Sequence, residues 1–174
     1  MQMKKVVPQY QPKASGHPQV LQDQAASMVS WEALGGVVGR LLSGHSKAGA
    51  AVSGSHLIPR IQEGLPFQEL EQLRTGLDQS MERLIPLLGI SKATLHRRKA
   101  GGRLDTAESD RVVRYARLLG QAAGVMESIE SGRRWLASPQ VGLGGAVPLE
   151  YAQTEVGARE VENLLGRIDY GVYS

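Results

Sequence analysis

The chain has 174 residues, no Cys and a formal net charge of +3. That length holds one core-bearing domain or a small pair, and a chain without Cys has no disulfide framework, thiolate metal site or cysteine nucleophile. The basic start, Met1 to Pro8, has no apolar stretch behind it and does not read as a signal peptide. No apolar run approaches the roughly 18 residues of a membrane span. These features predict a soluble cytoplasmic protein.

Residues 1–25 hold Pro8, Pro12 and Pro18 among Gln, Lys and Ser and bury too little to offset ordering entropy, which predicts a disordered tail. From Met28, the residues Trp31, Leu34, Val38, Leu41 and Leu42 make a helical stripe, and Gly44 to Gly54 reads as a loop. Ser55 can cap a short helix ending at Gly64, and Pro66 can open the next, with Leu70, Leu73 and Leu77 at helical spacing. Asp78 can cap a helix carrying Met81, Leu84, Ile85 and Leu88. Ser91 opens another that Gly101 and Gly102 end, and Asp105 with Glu108 has the capping-box pattern for a long helix through Ala123. A helix near Ile129–Leu136 stops before Pro139. Pro148 starts one that Gly157 ends, and Val161, Leu164, Leu165 and Ile168 mark the last. No stretch alternates long enough for a strand. The predicted class is all-α.

The charge is unevenly spread. Residues 92–117 carry 8 basic and 3 acidic side chains, whereas residues 126–174 carry 4 and 7. A polyanion is drawn to the first block and repelled by the second, so different partners are expected.

The local signal with most chemistry is Leu88-Gly89-Ile90-Ser91. In a helix-turn-helix the glycine takes a left-handed turn, the aliphatic fills the gap between helices and the hydroxyl caps the second helix. Leu84, Leu88, Ile90 and Leu95 take the packing positions, leaving Ser91, Lys92, His96 and Arg97 outward, with Arg98 and Lys99 beyond, as candidate DNA contacts. Ile85, Pro86 and an Arg at 98, where an apolar residue is usual, fit an ordinary helical hairpin as well. The basic excess on the second helix favours DNA.

Other motifs lack their context. The glycines at 35, 36, 39, 142, 144 and 145 follow no predicted strand, and Gly44-His-Ser46-Lys-Ala48 misses a nucleophile elbow. His17, His45, His56 and His96 never pair at i, i+4, so no metal site, cofactor or catalytic group is expected. Tyr170, Val172 and Tyr173 around a helix-ending Gly171 either fold back onto the core or serve as a peptide ligand for another protein. The residues alone leave both open.

Leu88-Gly-Ile-Ser-Lys-Ala-Thr-Leu-His-Arg-Arg98, Glu108-Ser-Asp-Arg111, Arg134-Trp-Leu136, Leu143-Gly-Gly145, Pro148-Leu-Glu150 and the block from Thr154 to Gly171 together resemble the Xre/MbcA/ParS antitoxins of RES-type toxin–antitoxin pairs. The likeness runs from about residue 38 onward and is densest after Arg133, with Val147 standing where a capping Ser or Thr is usual.

The resemblance implies a non-enzymatic two-part antitoxin. Residues 26–125 would form an Xre-like helix-turn-helix core that dimerises and binds its own operator, with Ser91, Lys92, Thr94, His96, Arg97 and Arg98 facing DNA, and residues 126–174 would bind a RES-domain, NAD-depleting toxin. Trp135, Leu164, Leu165, Arg167, Ile168, Tyr170, Gly171, Val172, Tyr173 and Ser174 would face that toxin or support the part that does, with the tail entering its active-site cleft. The competing classes are a stand-alone helix-turn-helix regulator with a ligand-sensing or dimerisation domain, a nucleotide-directed enzyme, and a DNA-organising protein.

Overall fold

Leucines spaced three and four apart call for helices packed on helices, and the computed structural model, which describes residues 37–43 and 54–171, has that architecture. Among the described residues there are nine α-helices and no strand. They are α1 Val37–Ser43, α2 Gly54–Glu63, α3 Phe67–Leu77, α4 Met81–Leu87, α5 Lys92–Gly101, α6 Thr106–Val125, α7 Ile129–Leu136, α8 Pro148–Tyr151 and α9 Glu155–Asp169, with a 3-10 turn at Val141–Leu143. The helix proposed from Met28 is described only from Val37, and residues 1–25 lie outside the described part.

The axis of the fold is α6. Its 20 residues make a rod of about 30 Å, and α1, α2, α3, α7 and α9 all lean on it. Such a helix must be apolar on several sides, and Val112, Val113, Ala116, Leu118, Leu119 and Ala122 are buried accordingly. Around it Leu65, Leu70, Leu73 and Leu77 from the α2–α3 side join Leu84 and Leu88 of the α4 region. Leu136, Leu149, Val161 and Leu165 from the C-terminal side complete one continuous core. Each fully buried side chain of this size contributes on the order of 1.5–3 kcal/mol.

The termini of the helices are set by short-range chemistry. Asp105 and Glu108 form the expected capping box on α6, each side chain accepting from the other's backbone N–H at 2.8 Å. The helix after residue 78 departs from expectation. Ser80 caps α4, its hydroxyl accepting from the Arg83 N–H at 3.3 Å, while Asp78 closes α3 in a left-handed conformation at φ 53°. An Asp tolerates that conformation better than most residues, so a residue that reads as a start signal serves here as a stop. Gly157 does not end a helix either. α8 stops at Tyr151, Thr154 caps α9, and Gly157 sits in the first turn of α9 with its N–H donating to the Thr154 hydroxyl at 3.1 Å. A Cβ there would lie 1.8 Å from the Tyr151 carbonyl oxygen, so this position needs glycine for space.

Candidate functional site

The segment from α4 to α5 is a helix-turn-helix in geometry as well as pattern. Gly89 has φ +62°, a conformation open to glycine at little cost. It lets the Gly89 N–H donate to the Pro86 carbonyl at 3.0 Å and the Ile90 N–H to the Ile85 carbonyl at 3.2 Å, the paired bonds of a Schellman ending. Two further carbonyls at this end are met by α6. Arg111 Nη1 donates to Leu88 O at 2.7 Å, and the Tyr115 hydroxyl lies 3.3 Å from Leu87 O. Ser91 then caps α5, accepting from the Thr94 N–H at 3.0 Å, and its hydroxyl also pairs with that of Thr94 at 3.0 Å. Leu84 and Leu88 are buried, and Ile90 and Leu95 are half-buried against the core, as their packing positions require.

α5 presents an outer row of Lys, Arg and His side chains. Lys92, His96, Arg97 and Lys99 are exposed, and among the described residues they make no ion pair. Ser91 is exposed at the helix start and Thr94 half-buried beside it. Arg98 departs from the expected DNA-facing set. Its Nε donates to both Glu108 carboxylate oxygens at 3.0 and 2.7 Å, and its Nη2 reaches Asp105 Oδ2 at 2.5 Å. The register explains this, because position 98 follows the inward Leu95 by three residues. The Glu108 hydrogen bond raises the Arg98 pKa above the ordinary guanidinium value, against an opposing effect of burial, so the group stays charged.

The basic block also spends charge on the fold. Arg114 pairs with Asp110 at 3.0 Å and Glu155 at 3.2 Å, and Arg117 with Glu162 at 2.7 Å. Part of the positive field read from the sequence is therefore met by the acidic C-terminal residues. What remains to face an outside polyanion is the row on α5 with the neighbouring exposed Arg103.

On the C-terminal side, the residues expected to meet a partner divide by depth. Tyr170 is 84% exposed, Arg167 and Gly171 are exposed, and Trp135, Leu164 and Ile168 are half-buried. Leu165, at 1% exposure, belongs to the core, where it takes the supporting place among these residues. Val172, Tyr173 and Ser174 lie outside the described residues. Val141, at 96% exposure, is an apolar residue that sequence reasoning missed. It tops the 3-10 turn, whose Gly142 lies so close to Leu164 of α9 that a Cβ would come within 2.6 Å of that side chain. The legible signal was an aliphatic residue inside a glycine-rich turn with nothing to bury.

Comparison with known proteins matches this division. Residues 56–117 match the antitoxin Xre-like helix-turn-helix domain, and residues 121–171 match the antitoxin Xre/MbcA/ParS C-terminal toxin-binding domain. An antitoxin Xre of Photorhabdus laumondii is 31% identical over 124 residues, covering 70% of this chain and 84% of that relative. The chain belongs to the Xre/MbcA/ParS antitoxin family. An antitoxin Xre of Yersinia enterocolitica is 29% identical over 127 residues, covering 71% of this chain and 85% of its own length. A Sphingobium relative named Prs ADP-ribosylating antitoxin is 27% identical over 126 residues, covering 66% of this chain and 78% of the relative. α4 and α5 lie in the matched helix-turn-helix domain, and α7 to α9 with the 3-10 turn lie in the matched toxin-binding domain. Among the described residues, no helix is long and apolar enough to cross a membrane.

Proposed function

We propose that this antitoxin neutralises a RES-domain toxin, an enzyme that depletes NAD, by seating Tyr170–Ser174 in the toxin's active-site cleft. The inhibition is steric: the segment excludes the dinucleotide, and the chain supplies no catalytic group, cofactor or metal. A homodimer of the chain in the cytoplasm binds its own operator through α5 and represses transcription, since one short helix reads too few base pairs for useful specificity.

The match of residues 121–171 to a toxin-binding domain carries the first half of this reading, because that match ends where Tyr170 stands exposed beyond the last helix. The Sphingobium relative, named Prs ADP-ribosylating antitoxin, supports a role in a toxin–antitoxin pair. Lys92, His96, Arg97 and Lys99 support the second half. Burial of two Tyr rings and a Val in a partner pocket stabilises a complex by several kcal/mol before ordering costs, at roughly 2 for each well-packed side chain.

Co-expression with the toxin tests inhibition directly. Removing residues 171–174 is expected to restore NAD loss, and full protection by the shortened chain rejects the occlusion. For operator binding, Arg97→Ala is expected to weaken affinity and reduce the slope of log K against log salt by about 1. Wild-type affinity that ignores salt rejects that half.

A further inference from the structure

The recognition helix is thinly anchored. No residue of α5 is fully buried, and its apolar hold on the core is the half-buried Leu95 together with Ile90 just before it. A helix that must enter a groove at a fixed angle needs a firmer attachment. The only side chain of α5 that reaches α6 with several charge-assisted hydrogen bonds among the described residues is Arg98. Its acceptors are tied to each other through the α6 capping box. Glu108 is buried to 4% exposure, and its Oε2 accepts from the Asp105 N–H at 2.8 Å. Asp105 Oδ1 in turn accepts from the Glu108 N–H at 2.8 Å. The capping box of α6 thus doubles as a socket for a guanidinium from the neighbouring helix.

We propose that Arg98 is a positioning residue for DNA recognition: it fixes the pose of α5 on α6 through Asp105 and Glu108 and makes no phosphate contact of its own. The proposal rests on α5 being the DNA-reading helix. Because its charge is already matched inside the protein, Arg98 releases no counterion when a duplex binds. The planar fork matters as much as the charge, since a lysine ammonium cannot serve both carboxylates in this geometry.

Operator titrations across salt, together with hydrogen exchange of the free protein, test the idea. Arg98→Met is expected to lower operator affinity by about tenfold or more with the salt slope unchanged. Glu108→Gln, which changes the acceptor and leaves the guanidinium in place, is expected to lower affinity in the same way. The double variant should be no weaker than Arg98→Met alone, because both changes break one contact. Arg98→Lys should recover little of the loss. In the free protein, α5 amides should exchange faster in Arg98→Met while α6 beyond its first turn is unchanged.

A slope that falls by about 0.9 in Arg98→Met, with Glu108→Gln neutral and Arg98→Lys active, makes Arg98 a phosphate contact and overturns the proposal. Unchanged exchange in α5 overturns it too, even if a variant also loses stability. Wild-type protein that binds no operator defeats the DNA reading itself, while the exchange comparison still decides whether the clamp exists.

Discussion

Tyr115 shows how much a single buried polar atom can organise. The side chain has no exposed surface, and its hydroxyl donates to the Leu149 carbonyl at 3.0 Å with the Leu87 carbonyl at 3.3 Å. One oxygen on α6 therefore meets the end of the first helix of the helix-turn-helix and the α8 segment of the toxin-binding domain. Removing it strands two carbonyls without offering them water, so Tyr115→Phe is expected to cost about 1–2 kcal/mol in a denaturant melt near neutral pH. Burial pushes the phenol up from its ordinary value of 10.0 to about 12. The unfolded chain then loses this proton near 10 while the folded chain keeps it. Stability is full below 10 and falls as pH rises toward about 12. Melts of the wild type should drop across that window and those of Tyr115→Phe should drop less; parallel curves would dismiss the linkage. None of this is legible in the sequence, where Tyr115 is one apolar position in a long stripe. The partners of its hydroxyl come from residues 28 and 34 positions away, and periodicity carries no information about them.

At the level of elements, legibility follows the range of the interaction. α7 lies where a stripe and a following proline predict, and the caps by Ser91 and by Asp105 with Glu108 are contained within four residues of sequence. Asp78 and Gly157 misled because a capping residue or a glycine is read without its neighbours in space. Gly132 belongs to the same class of hidden constraint. α7 approaches α6 so closely there that a Cβ would stand 2.7 Å from the Ala123 nitrogen and 2.9 Å from the Ala122 carbonyl carbon. Backbone on both sides cannot yield as a flexible side chain would. Gly132→Ala is therefore expected to destabilise by about 1–3 kcal/mol despite its higher helix propensity. Because α7 bears Trp135, the variant should also show altered tryptophan emission. A Gly132→Ala protein as stable as the parent would mean that the helices separate freely.

The same spatial pairing recasts the charge pattern of the whole molecule. The basic middle and the acidic end read as modules for different partners, yet Arg114 and Arg117 on α6 bind Glu155 and Glu162 on α9, and the aliphatic core runs without a break from Leu65 to Leu165. The helix-turn-helix domain and the toxin-binding domain share one continuous core. Ending the chain after Val125 would remove Leu136, Leu149, Val161 and Leu165 and expose the faces of α6 that they cover. At on the order of 1.5–3 kcal/mol for each lost side chain, the loss rivals the roughly 5–15 kcal/mol that holds an ordinary domain together. The shortened chain should lack a cooperative melt and bind no operator. In the full chain, with Trp31 replaced by Phe so that Trp135 reports alone, emission from α7 and helical circular dichroism should follow one denaturation curve. If the emission midpoint instead preceded loss of the bulk of the helix, the C-terminal part would unfold by itself. Toxin binding could then be engineered without touching the grip on DNA. A single shared transition means that any change in core packing is felt at both surfaces.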